Sequence, residues 1–139
     1  MPIEPDDVSL NKAAIIERCI RRIHQEYKAD PELDNYTHQD ALILNIERGC
    51  QACIDLAMHI IAKEHLGIPQ SSGEAFTLLH KAGLIDKKLE CSMRSMTGFR
   101  NIAVHQYQQM NLDLVREIAL NKWRDMVNFC RALGLNIQP

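Results

Sequence analysis

Apolar residues recur three and four positions apart along nearly the whole chain, and this spacing is what most constrains the fold. Ile16, Ile20, Ile23 and Tyr27 show it clearly, since they step by four, three and four positions. Runs of β-branched residues that alternate with a period of two are absent from the sequence. Because a helix repeats every 3.6 residues and a strand every two, the pattern predicts an all-α fold.

The first two helices are long. We expect the first over residues 10–27, with Ser9 as its N-cap and Pro31 just beyond its end. The second is expected over residues 39–65, where Thr37 and Asp40 imitate a capping box and Gly67 marks the end. The apolar residues that should form its buried stripe are Leu42, Ile46, Cys50, Cys53, Ala57, Ile60 and Ile61.

Three further helices complete the pattern. Ser71 and Glu74 form a capping box for a short third helix, and Asn111 is a good N-cap for the last one, which should end before Gly134. A fourth helix begins near Asp86, and Gly98 is expected to interrupt it. The sequence therefore predicts one domain, residues 1–139: an antiparallel bundle of four main helices plus one short helix.

The chain length and charge limit the class of protein. At 139 residues, a compact fold buries about two-thirds of its surface and needs no disulfide staples. No apolar stretch is long enough for a membrane span, and the acidic N-terminus does not resemble a signal peptide. The net charge of −2 argues against nucleic-acid binding by bulk charge, but leaves room for a site built from one or two arginines.

The cysteines and histidines do not form a metal-binding pattern. Five cysteines, an odd number, indicate a reducing cytoplasm in which the thiols pack as small apolar groups. Cys50 and Cys53 are three apart, but a zinc site needs two such pairs or a histidine pair. His59 and His65 are six apart, which does not fit the helical spacing of zinc ligands. We therefore expect core packing at the cysteine pair and no metal.

Arg48, Asp55 and His59 recur on one side of the second helix, seven and four positions apart. A narrow polar stripe of this kind is typical of a face in contact with solvent. A seam between two subunits is the second reading that this stripe leaves open.

The segment from Arg100 to Tyr107 combines arginine, asparagine, histidine and tyrosine within eight residues. On a straight helix Arg100 and Tyr107 project about 20° apart, whereas His105 falls about 140° from Arg100. One straight helix therefore cannot easily aim all three side chains at one small target. Either the helix ends near His105, or a second chain completes the site.

Arginine and histidine together suit the cleavage of RNA without a metal. Arginine holds its charge and binds phosphate with two donors, while histidine exchanges protons near neutral pH. The 2′-hydroxyl attacks its own phosphorus, histidine accepts the proton, and arginine stabilises the charge on the phosphorane. Another group must protonate the leaving 5′-oxygen, and a homodimer would bring two arginine–histidine sets together.

The string Arg100-Asn101-Ile102-Ala103-Val104-His105-Gln106-Tyr107 resembles the R-x4-H-x-Y signature of HepT toxins, which belong to the HEPN superfamily of small all-α proteins. The similarity extends to the segments ERGCQACIDLAMHI and LGIPQSSGEAFTLL.

The resemblance implies a cytoplasmic, homodimeric toxin endoribonuclease that needs no cofactor or membrane and spares DNA. It implies that Arg100 and His105 are the catalytic pair at a two-fold interface, with Asn101 in support. It also implies that an MntA-type minimal nucleotidyltransferase antitoxin uses ATP to transfer one or more AMP units to Tyr107.

Two other functions compete with this one. The chain would serve as a non-catalytic HEPN module if Arg100 and Tyr107 formed a docking surface for a nucleotidyltransferase or a nucleotide. The motif would carry no chemistry if its polar residues only fixed the register of a dimer. The sequence does not choose between mRNA and tRNA as substrate.

Overall fold

The computed structural model describes residues 3–105 and 110–139, and it confirms an all-helical architecture. The helices are α1 (Asp7–Ala29), α2 (Tyr36–Lys63), α3 (Ser72–Lys81), α4 (Lys87–His105), α5 (Leu112–Glu117) and α6 (Trp123–Ala132). A π-helical turn, Ile118–Lys122, joins α5 to α6 without a break. The last two helices therefore act as one, which gives the expected four main helices and a short one.

The main helices pack in a ring in which α1 contacts α2, α2 contacts α4, α4 contacts α6, and α6 closes on α1. The short α3 lies against α2 and α4. The predicted apolar stripe of α2 is confirmed, because every one of its seven members is buried. Phe76 and Phe129 join α3 to α6 through an edge-to-face contact with ring centroids 5.3 Å apart.

The prediction that Ser9 caps α1 is wrong. The cap is Asp6, whose carboxylate accepts a hydrogen bond of 2.8 Å from the Ser9 backbone N–H, so α1 begins three residues earlier than expected. Asp6 is held in this role from another helix. His59 Nε2 lies 2.8 Å and Lys63 Nζ 3.2 Å from its Oδ2. These tertiary contacts favour Asp6 over the equally suitable serine.

The predicted ends of α2 are also wrong. Asn35 rather than Thr37 is the N-cap, since its side chain accepts from the His38 N–H. The helix stops at Lys63 because His65 takes a left-handed conformation, with φ of 55°. The Leu66 N–H then returns to the Ile61 carbonyl at 2.9 Å, which closes a Schellman motif. His65 therefore takes the left-handed position at the end of α2 that we expected Gly67 to take.

The helix caps of α3 and α5 agree with the sequence prediction. Ser71 accepts from the Glu74 N–H at 3.1 Å, and Asn111 accepts from the Asp113 and Leu114 N–H groups. Gly83 and Gly134 have φ values of 79° and 82°, as the predicted C-terminal positions require. Local chemistry therefore sets these boundaries without help from tertiary contacts.

Helix α4 is the third correction, because it runs through Gly98 without interruption. The residues around it are anchored: Met93, Met96 and Phe99 are buried on the inner face. Their burial outweighs the cost of about 1 kcal/mol for a glycine inside a helix. The continuous helix carries the motif residues Arg100 and Asn101 on its C-terminal half.

The π-helical turn places Trp123 between α6 and α1. The Leu120 carbonyl accepts hydrogen bonds from Trp123 Nε1 and Arg124 Nη1 at 3.3 and 3.1 Å. The indole meets the His24 ring edge-on at 4.5 Å between centroids, and the Arg124 guanidinium lies 4.7 Å from the centre of the same indole. This contact ties the end of the chain to the first helix.

The cysteines are all free thiols, and four of them are buried as expected. Burial raises the pKa of the Cys50 thiol to about 12, and does the same for Cys130. Cys91 differs from the expectation, because it is exposed on α4. None of the described helices combines the length and the apolar character that crossing a membrane requires.

Candidate functional site

The C-terminal half of α4 has one buried face and one exposed face. Phe99 and Ala103 are buried, while Asn101, Ile102 and Val104 are exposed. Arg100 lies at the border and is half-buried. Its side chain is buried as far as Nε.

The Arg100 guanidinium has spare hydrogen-bonding capacity. Its Nη1 lies 3.5 Å from Asn101 Oδ1, which is a long contact between neighbours. Its Nε is buried and finds no acceptor among the described residues. An unsatisfied donor on a charged group is costly, so a site of this kind is prepared for an anionic ligand.

Helix α2 forms the wall beside Arg100. Cys50 Sγ lies 3.9 Å from Met96 Sδ, one helical turn before Arg100. Burial raises the pKa of Cys50, Glu47 adds to that rise, and the positive charge of Arg100 opposes it. Arg100 is therefore close enough to α2 for its charge to act on Cys50.

His105 is the last described residue of α4, so Arg100 and His105 belong to one continuous helix. Five residues correspond to a rise of about 7.5 Å and a rotation of about 140°. The end of α4 lies outside the described residues, and both arrangements that the sequence left open stay predictions. Tyr107 lies outside the described residues.

The polar stripe of α2 runs along α1. Asp55 lies 3.5 Å from Lys12 Nζ and accepts a hydrogen bond of 2.8 Å from Gln51. His59 contacts the Asp6 cap of α1, and Arg48 lines a groove shared with α1. Asp55 and His59 thus have partners within the chain, and the subunit seam stays a prediction for all three residues.

Metal binding receives no support from the part of the chain that the structure describes. Within residues 3–105 and 110–139, no three His, Cys, Asp or Glu side chains are grouped as metal ligands would be.

A small all-α bundle whose fourth helix carries an arginine and a histidine five residues apart is typical of one class, the HEPN-type ribonucleases. The family model described as ribonuclease HepT-like matches residues 15–133. The chain therefore belongs to the ribonuclease HepT-like family, whose members are RNA endonucleases of toxin–antitoxin systems. This confirms the resemblance inferred from the motif.

Relatives with established names agree with this family. The chain is 46% identical over 125 residues to the mRNA nuclease HepT of Shewanella oneidensis, with 89% of this chain and 94% of the relative covered. A crystal structure of a toxin–antitoxin with AMP-PNP gives a TM-score of 0.88 at 43% identity, and the match covers 93% of this chain and 98% of the other. The tri-AMPylated Shewanella oneidensis HEPN toxin in complex with MNT antitoxin gives 0.88 at 44%, covering 94% and 98%.

Proposed function

We propose that this chain is the toxin of a toxin–antitoxin pair and cleaves RNA with Arg100 and His105, independently of a metal. The observation that carries the proposal is the half-buried Arg100, whose Nε has no acceptor among the described residues and whose Nη1 faces Asn101. Such a guanidinium offers a phosphate two parallel donors, and Asn101 supports its orientation. His105 follows on the same helix as the proton acceptor.

The reaction is a transphosphorylation within the RNA. His105 takes the proton of the 2′-hydroxyl, whose oxygen forms a bond to the adjacent phosphorus while Arg100 stabilises the charge on the phosphorane. The bond from phosphorus to the 5′-oxygen breaks, and that oxygen leaves with a proton. The products are a 2′,3′-cyclic phosphate and a 5′-hydroxyl. DNA is spared because it lacks the attacking 2′-hydroxyl.

A second copy of the chain supplies the group that protonates the leaving oxygen. The open face of α4 suits such a contact, since Ile102 and Val104 expose 38% and 41% of their surface. A two-fold axis at this face brings two Arg100–His105 pairs to one cleft. RNA then passes through a site that neither chain forms alone.

The test is cleavage of a single-stranded RNA by purified wild type, His105→Ala and Arg100→Ala in buffer with EDTA. Wild type should cleave, and both variants should fall by a hundredfold or more, since each removes a group that acts on the transition state. Arg94→Ala is the matched control, because it removes the same charge from α4 six residues earlier and should cleave like wild type. Wild-type rates in His105→Ala would refute the mechanism.

We also propose that an MntA-type nucleotidyltransferase is the antitoxin in the cytoplasm and that it silences the toxin at Tyr107. The tyrosine oxygen attacks the α-phosphorus of ATP, pyrophosphate leaves, and the phenolic proton passes to solvent. The support is the relative in AMPylated form with its MNT antitoxin. An added AMP phosphate would compete with RNA for Arg100.

Intact mass after incubation with the antitoxin and ATP tests this step. Wild type should gain one or more AMP-sized increments and lose cleavage, whereas Tyr107→Phe should gain none and stay active. Tyr36→Phe is the control, since Tyr36 is 79% exposed and its loss should leave the mass gain intact. An increment that persists in Tyr107→Phe would exclude this tyrosine.

A further inference from the structure

A groove between α1 and α2 is lined by arginines. Its volume is about 450 Å³, and its lining residues are Ile15, Arg18, Cys19, Arg22, Ala41, Leu44, Asn45 and Arg48. Three of these eight are arginines, and no carboxylate is among the described lining residues. The groove is therefore suited to an anion.

Two of the three arginines are not neutralised. Arg22 donates to Glu26 at 2.7 Å, which accounts for its charge. Arg18 and Arg48 make no ion pair or hydrogen bond with a described residue. Both charges act on the buried Cys19 at the floor, where they oppose the rise in its pKa that burial causes. The two guanidinium groups thus direct their fields into the same groove.

The rim of the groove is formed by aliphatic side chains. Ile15 and Leu44 stay 38% and 40% exposed on opposite helices, while the amide of Asn45 in the floor donates to the Ala41 carbonyl at 2.8 Å. A free phosphate would need only the cations. Apolar surface beside two arginines without an ion pair suits a polymer that carries phosphate and sugar in alternation.

The groove and the Arg100 site both involve one turn of α2. The charge of Arg100 acts on the thiol of Cys50, and Arg48, two residues earlier on α2, lines the groove. Two residues on a helix are separated by a rise of only about 3 Å, so a strand held at one site can reach the other.

We propose that this arginine groove binds the backbone of single-stranded RNA next to the phosphate that is cleaved. The inference rests on the proposed ribonuclease function and adds Arg18 and Arg48 as residues that hold the strand. They contact phosphates only, so the groove increases affinity without reading sequence. This explains how a chain with a net charge of −2 retains a long substrate.

The test measures binding of a 2′-O-methyl RNA strand of about 20 nucleotides, which lacks the attacking hydroxyl. Fluorescence anisotropy compares wild type with Arg18→Gln/Arg48→Gln between 50 and 200 mM salt. The double variant should bind about ten- to a hundredfold more weakly. Each lost phosphate contact lowers the salt slope by about 0.7 for a single strand, so the slope should fall by about 1.4. Strands of different sequence should lose affinity equally.

The control is Lys81→Gln/Lys88→Gln, which removes the same charge from exposed positions outside the groove lining. It should bind like wild type. Wild-type affinity and slope in the arginine variant, together with RNA cleavage by the wild type, would overturn the groove alone. Wild type that neither binds nor cleaves RNA would overturn the proposed function as well. A shift of the arginine variant from dimer to monomer would assign the groove to a subunit interface and reject RNA binding.

Discussion

The function that we propose for Arg100 comes at some cost in stability. Its buried Nε lacks a described acceptor, and an unsatisfied buried donor costs about 1–3 kcal/mol. The stem of the side chain still packs in the border of the bundle. A substitution that removes the charge of Arg100 and keeps the volume of its side chain should therefore maintain or raise the stability of the fold while it abolishes RNA cleavage.

Arg100→Met tests this opposition. The thermal midpoint should equal or exceed that of wild type by a few degrees, because the aliphatic volume remains and the unsatisfied donor is gone. RNA cleavage should disappear. Calorimetry and a cleavage assay on the same preparation measure both effects, and a midpoint well below wild type would show that the guanidinium is structural.

Asp6 links two helices through its charge. The backbone N–H of Ser9 and the His59 ring, with Lys63 beside it, hold the pKa of Asp6 well below its usual value. A lowered pKa in the folded state stabilises the fold above the pKa of the unfolded chain, about 3.9, and this contribution is lost as the pH falls through the folded value.

Asp6→Asn should accordingly destabilise the protein at pH 7 and matter progressively less below pH 4. Thermal melts of both proteins at pH 7, 4 and 2.5 measure the narrowing difference. Asp7→Asn removes the neighbouring exposed carboxylate and controls for the helix dipole. A difference between wild type and Asp6→Asn that is constant over this range would show that the charge of Asp6 plays no part.

At the scale of elements, the sequence predicts those helix ends that depend on neighbours in the chain. The caps at Ser71 and Asn111 and the glycines at 83 and 134 are local, so their residue types suffice. The start of α1 depends on His59 and Lys63, which lie more than fifty residues away. The continuity of α4 through Gly98 depends on buried methionines, and local propensity reveals neither effect.

The Ser71 cap offers a prediction for α3. Ser71→Ala should lower the free energy of unfolding by about 1 kcal/mol, because the Glu74 N–H loses its acceptor. The lost hydrogen bond should lower the stability of the whole fold, because Phe76 and Leu79 of this helix are fully buried in the core. Urea denaturation measures it, and Ser72→Ala, one residue into the helix, should differ little from wild type. Equal effects in the two variants would remove the cap as the cause.

At the scale of the whole molecule, charge counts hide the arginine groove. Residues 1–70 carry 7 basic and 12 acidic residues, a net −5, whereas residues 71–139 carry 9 and 6, a net +3. The half that looks unsuited to RNA contains Arg18 and Arg48. Folding places these two arginines of α1 and α2 in one groove. Counts of charged residues along the sequence do not reveal this arrangement.

The site itself was only partly predictable. The motif identifies Arg100, Asn101, His105 and Tyr107 because their types and spacing suit phosphate chemistry. Their spacing does not reveal that the charge of Arg100 acts on the buried Cys50, or that folding brings Arg18 and Arg48 to one groove. Those relations follow from the packing of α2, which depends on side chains distant in the sequence.

The oligomeric state gives a testable prediction for the whole molecule. Light scattering should report twice the chain mass of 15.9 kDa for wild type. Ile102→Glu should give a monomer that no longer cleaves RNA, because a charge would be buried at the proposed seam. Ile68→Glu, at a position 81% exposed outside α4, should remain a dimer. A dimeric Ile102→Glu would remove this face of α4 from the interface.

The contact of Trp123 with His24 has a practical consequence for spectroscopy. The chain has one tryptophan, and its indole lies between the last helix and the first. The fluorescence of Trp123 therefore reports whether the last helix remains packed on the first, and no added label is needed. Since α1 also carries Arg18, the same signal offers a way to follow ligands that move or stiffen this helix.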